Sequence, residues 1–298
     1  AIRDIDNSSD ILVSPDTARV HLLPSNSPST HPVSEVTSPN GNLANTANEY
    51  SEDPSISGDG SRIAFISRAS NLTGDSNGLT DVLVRHRDTG NIQLVSVNSN
   101  GSQANRNSQQ PVISAEGTYV AFASQATNLV KEDIGGFSDI FVHNVETGET
   151  VRISKRIEQK GDIFYTVEPD GSSYSPSISE NGRFIAFSSF AKNLDPSYDG
   201  LFPIGGVSIR HIYVHDRCVD GDQNRFDKDD NVATYLVSCS VTSDLSNDNS
   251  FAPSISLDGQ WIAFGSLASN LGIEGFYPNS FQQVFRRKLF DGFASKTS

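Results

Sequence analysis

Apolar and polar positions alternate along this chain in short runs parted by turn residues, and no run carries the period of a helix. One run recurs in phase four times. Pro54–Ser57 leads through Asp59-Gly60 to Ile63, Ala64 and Phe65, then Ser67 and Asn71-Leu72. Pro111–Ser114 leads through Glu116-Gly117 to Val120, Ala121 and Phe122, then Ser124 and Asn128-Leu129. Pro176–Ser179 leads through Asn181-Gly182 to Ile185, Ala186 and Phe187, then Ser189 and Asn193-Leu194. Pro253–Ser256 leads through Asp258-Gly259 to Ile262, Ala263 and Phe264, then Ser266 and Asn270-Leu271. Each copy predicts a strand, a tight turn and a second strand. Asp-Gly, Glu-Gly and Asn-Gly tolerate the positive φ that a hairpin turn requires. The Pro is expected to open the first strand, where a missing N–H matters little. The central Ala predicts close approach of neighbouring sheets.

Third strands follow at Asp81–Arg85, Asp139–His143, His211–His215 and Gln283–Arg287, and fourth strands at Ile92–Val97, Thr150–Ser154 and Tyr235–Cys239. Four antiparallel strands per repeat predict an all-β fold, a β-propeller of about five four-stranded blades in a single domain spanning 1–298. Successive blades with their connections fall at 51–107, 108–172, 173–249 and 250–298. Residues 1–50 read as an incomplete first blade, with Asp10–Val13 as its third strand, His31–Ser38 as its fourth and the front two strands missing. The interval between repeat prolines lengthens along the chain while the motif holds, so growth is in loops, where repeat proteins often bind.

The motif set is similar to the TolB-like β-propeller repeat: Pro-Ser-Ile-Ser-x-Asp-Gly, Ile-Ala-Phe-x-Ser, Asp-Ile-Phe-Val and a Thr-Gly turn. The resemblance covers roughly residues 10 to 298. It implies a propeller fold. It leaves function open, since such propellers serve as partner-binding platforms, as accessory domains of peptidases and occasionally as enzymes.

Charge narrows the partners. The net charge of −14 offers no basic stripe for nucleic acid and disfavours an anionic membrane surface. No apolar run reaches the ~20 residues of a membrane-spanning helix. The start at Ala1 and the absence of Met fit an exported protein cleaved from a signal peptide, or equally a trimmed chain. Cys218 and Cys239, the only cysteines, flank one insertion and are expected to form a disulfide.

The sharpest chemical signal is that insertion. Asp220, Asp222 and Asn224 stand at positions one, three and five of an Asp-x-Asp-x-Asn run, the alternation that turns side-chain oxygens onto one Ca²⁺. Phe226 is placed to offer a carbonyl, and Asp227, Asp229 or Asp230 to complete the shell. Arg225 at position six and Asn231 at position twelve depart from the EF-hand pattern. A solvated acidic loop is the competing reading. A second candidate loop is Asp75 and Asn77 with Asp81, repeated as Asp133 with Asp139, where ordinary Asx turns are the leading reading. His143 and His215 hold the same repeat position in different blades, and strand-edge positions of different blades rarely converge on one metal. No Gly-x-Ser-x-Gly elbow is present, and no carboxylate pair is singled out as catalytic. Aromatic loops carry Phe164 and Tyr165, Tyr198 and Phe202, and Phe276 and Tyr277, either clustering on one face or folding back onto blade edges.

The leading reading is a non-enzymatic exported propeller that serves as a protein-binding or assembly platform, with structural Ca²⁺. The alternatives are a carbohydrate-binding or carbohydrate-active propeller of lyase or glycosidase type, and a structural subunit of a larger surface assembly.

Overall fold

The computed structural model describes residues 3–6, 12–13, 20–21, 29–33, 35–37, 43–201, 208–222, 226–240, 243–271 and 281–289. Six short strands come first: β1 (Arg3–Asp6), β2 (Leu12–Val13), β3 (Val20–His21), β4 (Ser29–Pro32), β5 (Glu35–Thr37) and β6 (Leu43–Thr46). They pair β1 with β4, β2 with β3 and β5 with β6. Leu12–Val13 pairs with Val20–His21, and Arg3–Asp6 with Ser29–Pro32.

The repeats then form separate antiparallel sheets. The first comprises β7 (Ser51–Ile56), β8 (Arg62–Ser67), β9 (Asp81–His86) and β10 (Ile92–Leu94). The second comprises β11 (Ser108–Ile113), β12 (Tyr119–Ser124), β13 (Asp139–Asn144) and β14 (Thr150–Arg152). A hairpin of β15 (Arg156–Lys160) and β16 (Ile163–Val167) intervenes. The third sheet comprises β17 (Ser173–Ile178), β18 (Phe184–Ser189), β19 (His211–Asp216) and β20 (Ala233–Leu236). The last comprises β21 (Ser250–Ile255), β22 (Trp261–Ser266) and β23 (Gln283–Lys288). Among the described residues there is no α-helix, and the fold is an all-β propeller.

Each repeat proline lies inside its first strand rather than opening it. Asp53, Gln110, Ser175 and Ala252 precede the four prolines and all adopt positive φ between 50° and 55°. At each of these points the register with the second strand slips. The motif therefore encodes a β-bulge, a place where a ladder donor is already lost and Pro fits.

Alternate residues of the second and third strands point to opposite faces of each sheet. Ala64, Ile66, Val82 and Val84 leave the first sheet on one side and meet Val120, Phe122 and Phe141 of the second. The second sheet repeats this toward the third with Ala121, Ala123, Ile140 and Val142 against Ile185, Phe187 and Tyr213. The third does so toward the last with Ala186, Ile212 and Val214 against Ile262 and Phe264. The phenylalanines are fully or almost fully buried, as expected. The small Ala lets an aromatic ring of the next sheet lie close.

The turn glycines serve the same joints. A Cβ on Gly182, at φ +76°, would lie 2.4 Å from the Tyr119 ring, and one on Gly259, at φ +69°, 2.2 Å from the Phe184 ring. A polar pin adds to the packing. Thr150 Oγ1 donates its one proton to the Val97 carbonyl of the preceding blade and so accepts from His143 Nδ1. Thr234 does the same between His215 and the Lys155 carbonyl. Arg85 and Arg287, at the same repeat position, donate directly to the carbonyls of Val33 and of Val237 and Cys239.

Two outcomes follow from this packing. Gly182→Ala forces both αL strain and a ring displacement, and should destabilise by at least about 2 kcal/mol. Ala252→Gly relieves an αL Cβ and should be neutral or stabilising by up to about 1 kcal/mol, since glycine's entropy opposes the gain. Denaturant melts of the two variants measure both. The pins also carry a pH signature. Burial holds His143 near a pKa of about 4, below its ordinary 6.5, and His215 near about 3. The unfolded rings bind protons more readily, so this stability is complete above pH 6.5 and is lost as pH falls toward 4. Melting temperatures across pH 7 to 4 should drop, and His143→Gln should shed part of that slope.

Candidate functional site

In an antiparallel blade the loops between strands two and three share one end with the connections between blades. The hairpin turns and the acidic insertion share the other. The first end is the loop face. Beneath it, in the second sheet, three carboxylates converge.

Asp139 opens β13 and takes a hydrogen bond from Ser154 Oγ through Oδ1 at 2.6 Å. The same pair stands in the preceding sheet as Asp81 and Ser96, at 2.5 Å, so this oxygen belongs to the repeat. Its Oδ2 is buried and has no hydrogen bond. Asp133 reaches in from the loop before β13, and both of its oxygens are buried without a hydrogen bond. Glu168 arrives from the end of the β15–β16 hairpin, and its Oε1 accepts from the Gly135 amide at 2.9 Å. A Cβ at Gly135 would lie 2.8 Å from Glu168 Oε1, so a side chain there would push the carboxylate aside. The carboxylate atoms of Asp133, Asp139 and Glu168 lie within 4.8 Å of one another.

One cation faces them. Arg152 Nη1 is 2.8 Å from Glu168 Oε2 but 3.8 Å from each aspartate. Burial pushes Asp133 up to about 6, against the pull of Arg152. It pushes Asp139 up to about 7, against the Ser154 bond and then Arg152. Three carboxylates against one guanidinium leave a buried deficit of positive charge. The oxygen set is of the kind that holds a hard metal ion. The spacing of Asp133 and Asp139 is legible in the repeat. Glu168 is not, because the hairpin that brings it back has no counterpart in the other blades.

The acidic insertion is arranged otherwise. Asp227 pairs with Arg217, which lies over the Tyr119 ring at 4.2 Å and the Phe226 ring at 4.8 Å. Asp229 faces Lys155 at 3.7 Å. Asp220 Oδ1 accepts from the Asp222 amide and from Asn231 Nδ2, each at 2.9 Å. Asp222 and Asp230 are exposed, and Asn224 lies outside the described residues. Hydrogen bonds and cations thus already engage Asp220, Asp227 and Asp229. In the second candidate loop, Asp75 Oδ1 accepts from the Asn77 amide and Asn77 Oδ1 from the Leu79 amide, the pattern of Asx turns. Asp81 is held by Ser96.

The expected disulfide is not formed. Cys218 and Cys239 are both free and buried. The register of β19 with β20, Tyr213 opposite Leu236 and Asp216 opposite Ala233, puts them beyond opposite ends of one hairpin. Cys218 Sγ donates to the Asp222 carbonyl at 2.8 Å, while Cys239 Sγ meets Arg287 Nη1 at 2.8 Å. Of the aromatic loops, Tyr198 is buried and Tyr165 exposed, and Phe202, Phe276 and Tyr277 lie outside the described residues.

No protein-family model and no curated protein matches the chain. Among solved structures it is similar to TolB from Acinetobacter baumannii, at 16% identity over 74% of this chain and 41% of that one, with a TM-score of 0.37. It is also similar to the tricorn protease, at 15% identity over 95% and 25%, with a TM-score of 0.43. A third is oligogalacturonate lyase in complex with manganese, at 11% identity over 74% and 50%, with a TM-score of 0.39. The chain spans less than two thirds of the length of each of these proteins. At such identities the likeness is one of fold, and neither activity nor ligand passes from them to this chain.

The charge imbalance sets an expected outcome. Arg152→Leu leaves the carboxylates without their cation and should destabilise by about 3–5 kcal/mol. Asp133→Asn removes a buried charge with no hydrogen bond and should be neutral or stabilising at pH 7.5. Urea melts of the two variants at that pH decide it.

Proposed function

We propose that this protein is a non-enzymatic, exported β-propeller whose loop face binds a protein partner. The observation that carries the reading is an exposed apolar group on loops of two adjacent blades. Ile134 is 85% exposed and Ile163 70%, with Phe137 and Tyr165 exposed beside them in the chain and Leu201 exposed in the loop that follows Asp199. The segments that bear them are tied together. Glu168, at the foot of the hairpin, holds the Gly135 amide, and Arg156 in β15 pairs with Asp199 in the loop before Leu201. Exposed apolar side chains on braced loops have the composition of an interaction surface. In this reading a Ca²⁺ ion on Asp133, Asp139 and Glu168 serves structure. It fixes the Ile134 loop and the hairpin to β13.

Two measurements test the reading. Ile134→Asp combined with Ile163→Asp should abolish retention of partner proteins from the native source, and Ile56→Asp on the turn face should not. Loss with neither variant, or selective retention on a glycan array, refutes a protein-binding loop face. For the ion, Ca²⁺ at a hundredfold excess over its Kd should add about 2.7 kcal/mol to stability, and Glu168→Gln should remove most of that gain. A melting curve unmoved by Ca²⁺ or chelator contradicts the structural ion.

A further inference from the structure

The two buried cysteines stand in opposite chemical settings. Cys218 faces oxygens. Its Sγ donates to the Asp222 carbonyl at 2.8 Å and lies 3.4 Å from Asp220 Oδ1. Burial, then the bond to Asp220, pushes this thiol up. Cys239 faces a cation. Arg287 Nη1, from β23 of the last sheet, meets its Sγ at 2.8 Å, whereas the Leu236 carbonyl is 3.9 Å away. The same nitrogen donates to the Val237 and Cys239 carbonyls at 2.8 and 2.9 Å, so the guanidinium is pinned over the sulfur. A guanidinium so placed stabilises negative charge on sulfur, and the anionic sulfur is the nucleophile of thiol chemistry.

Cys239 also lines a cavity of about 440 Å³, together with Asp195, Tyr198, Leu201, Arg287 and Leu289. That volume is in the range of small-molecule sites. Its polar wall is already ordered. Asp195 accepts from the Ser197 amide through Oδ1 and from the Leu236 amide through Oδ2, so this carboxylate does not draw Arg287 off the sulfur. Burial, then the Cys239 thiol, pushes the Tyr198 phenol up. Tyr198 therefore keeps its proton at neutral pH and stands beside the sulfur as a donor. The loop after β18, the segment after β20 and strand β23 thus bring a thiol, a cation, a phenol and apolar side chains to one cavity.

We propose that this cavity is a modification site, at which Cys239 undergoes thiol–disulfide exchange with a low-molecular-weight disulfide. The Cys239 thiol gives its proton to solvent. Its sulfur, held before Arg287, attacks one sulfur of the reagent R–S–S–R. A bond forms between Cys239 Sγ and that sulfur, the reagent's own S–S bond breaks, and the other half leaves as RS⁻ and takes up a proton. Cys239 is oxidised and the departing half reduced, so no further oxidant is needed. The retained R group lies in the cavity against Leu201 and Leu289. Cys218 takes no part, because the oxygens around its sulfur disfavour an anion there.

The test treats the full chain under native conditions with dithiodipyridine, a neutral disulfide whose approach does not depend on the charge of the protein. One equivalent of thiopyridone should be released promptly, and peptide mass mapping should place the adduct on Cys239. Cys218 should react at least about tenfold more slowly until denaturant is added. Cys239→Ser should abolish the prompt release, and Cys218→Ser should keep it. Arg287→Gln should slow Cys239 at least about tenfold, and Arg287→Lys should restore most of the rate. In each Arg287 variant a slow Cys218 shows that the fold is intact. If Arg287→Gln opens the fold, seen as a rapid Cys218, the contrast between the two cysteines in the unaltered chain decides. A Cys239 that reacts no faster than Cys218 overturns the proposal, and so does a Cys239 rate indifferent to Arg287→Gln in a folded chain.

Discussion

The structure depends on one contact made three times: a phenylalanine of one sheet pressed against the Ala and Val or Ile of the sheet before it. A four-stranded sheet has two faces, and neither can stay in water with this many aliphatic and aromatic groups. Each blade is therefore stable only as a neighbour. The rings of Phe122 and Phe141 stack at 5.9 Å, as do those of Phe187 and Tyr213, so each joint receives a two-ring wedge rather than one side chain. The Thr-borne pins and the glycine turns fix the angle at which the wedge enters. Everything placed on the loop face inherits its position from this stacking.

Much of that was legible in the sequence because the repeat states it four times. Ile-Ala-Phe gave the strand, the buried face and the close approach together. The Ser and Asn of the motif recur because they close local circuits. Ser108 bonds Ser124 at 2.9 Å, and Asn128 accepts the Asn105 amide at 3.0 Å and donates to the Gln103 carbonyl. What escaped was whatever the repeat does not state. The prolines mark bulges, and a bulge depends on the φ of the residue before, whose identity varies from Asp to Gln to Ser to Ala. The cysteines looked paired because both flank the insertion, but a hairpin sends its two ends apart. The spacing of the acidic run is local, whereas the Arg217–Asp227 pair within it arises only through the fold.

The acidic centre shows the same division. Asp133 and Asp139 keep the spacing of Asp75 and Asp81 in the preceding sheet, and Glu168 follows an insertion. A site assembled from two repeated positions and one added group is what a common scaffold with divergent loops produces. It lies next to the loop that bears Ile134 and at the foot of the hairpin that bears Ile163, and the ion reading and the binding reading thus concern the same braced segments.

If stability resides in the joints, it is unevenly distributed, and native-state hydrogen exchange followed by mass spectrometry reads that distribution directly. The account predicts the slowest exchange in β12 and β18, which have a joint on each face. It predicts clearly faster exchange in β22 and β23, whose sheet has a joint on one face alone among the described residues. Equal protection of β22 and β23 with β12 and β18 would contradict it.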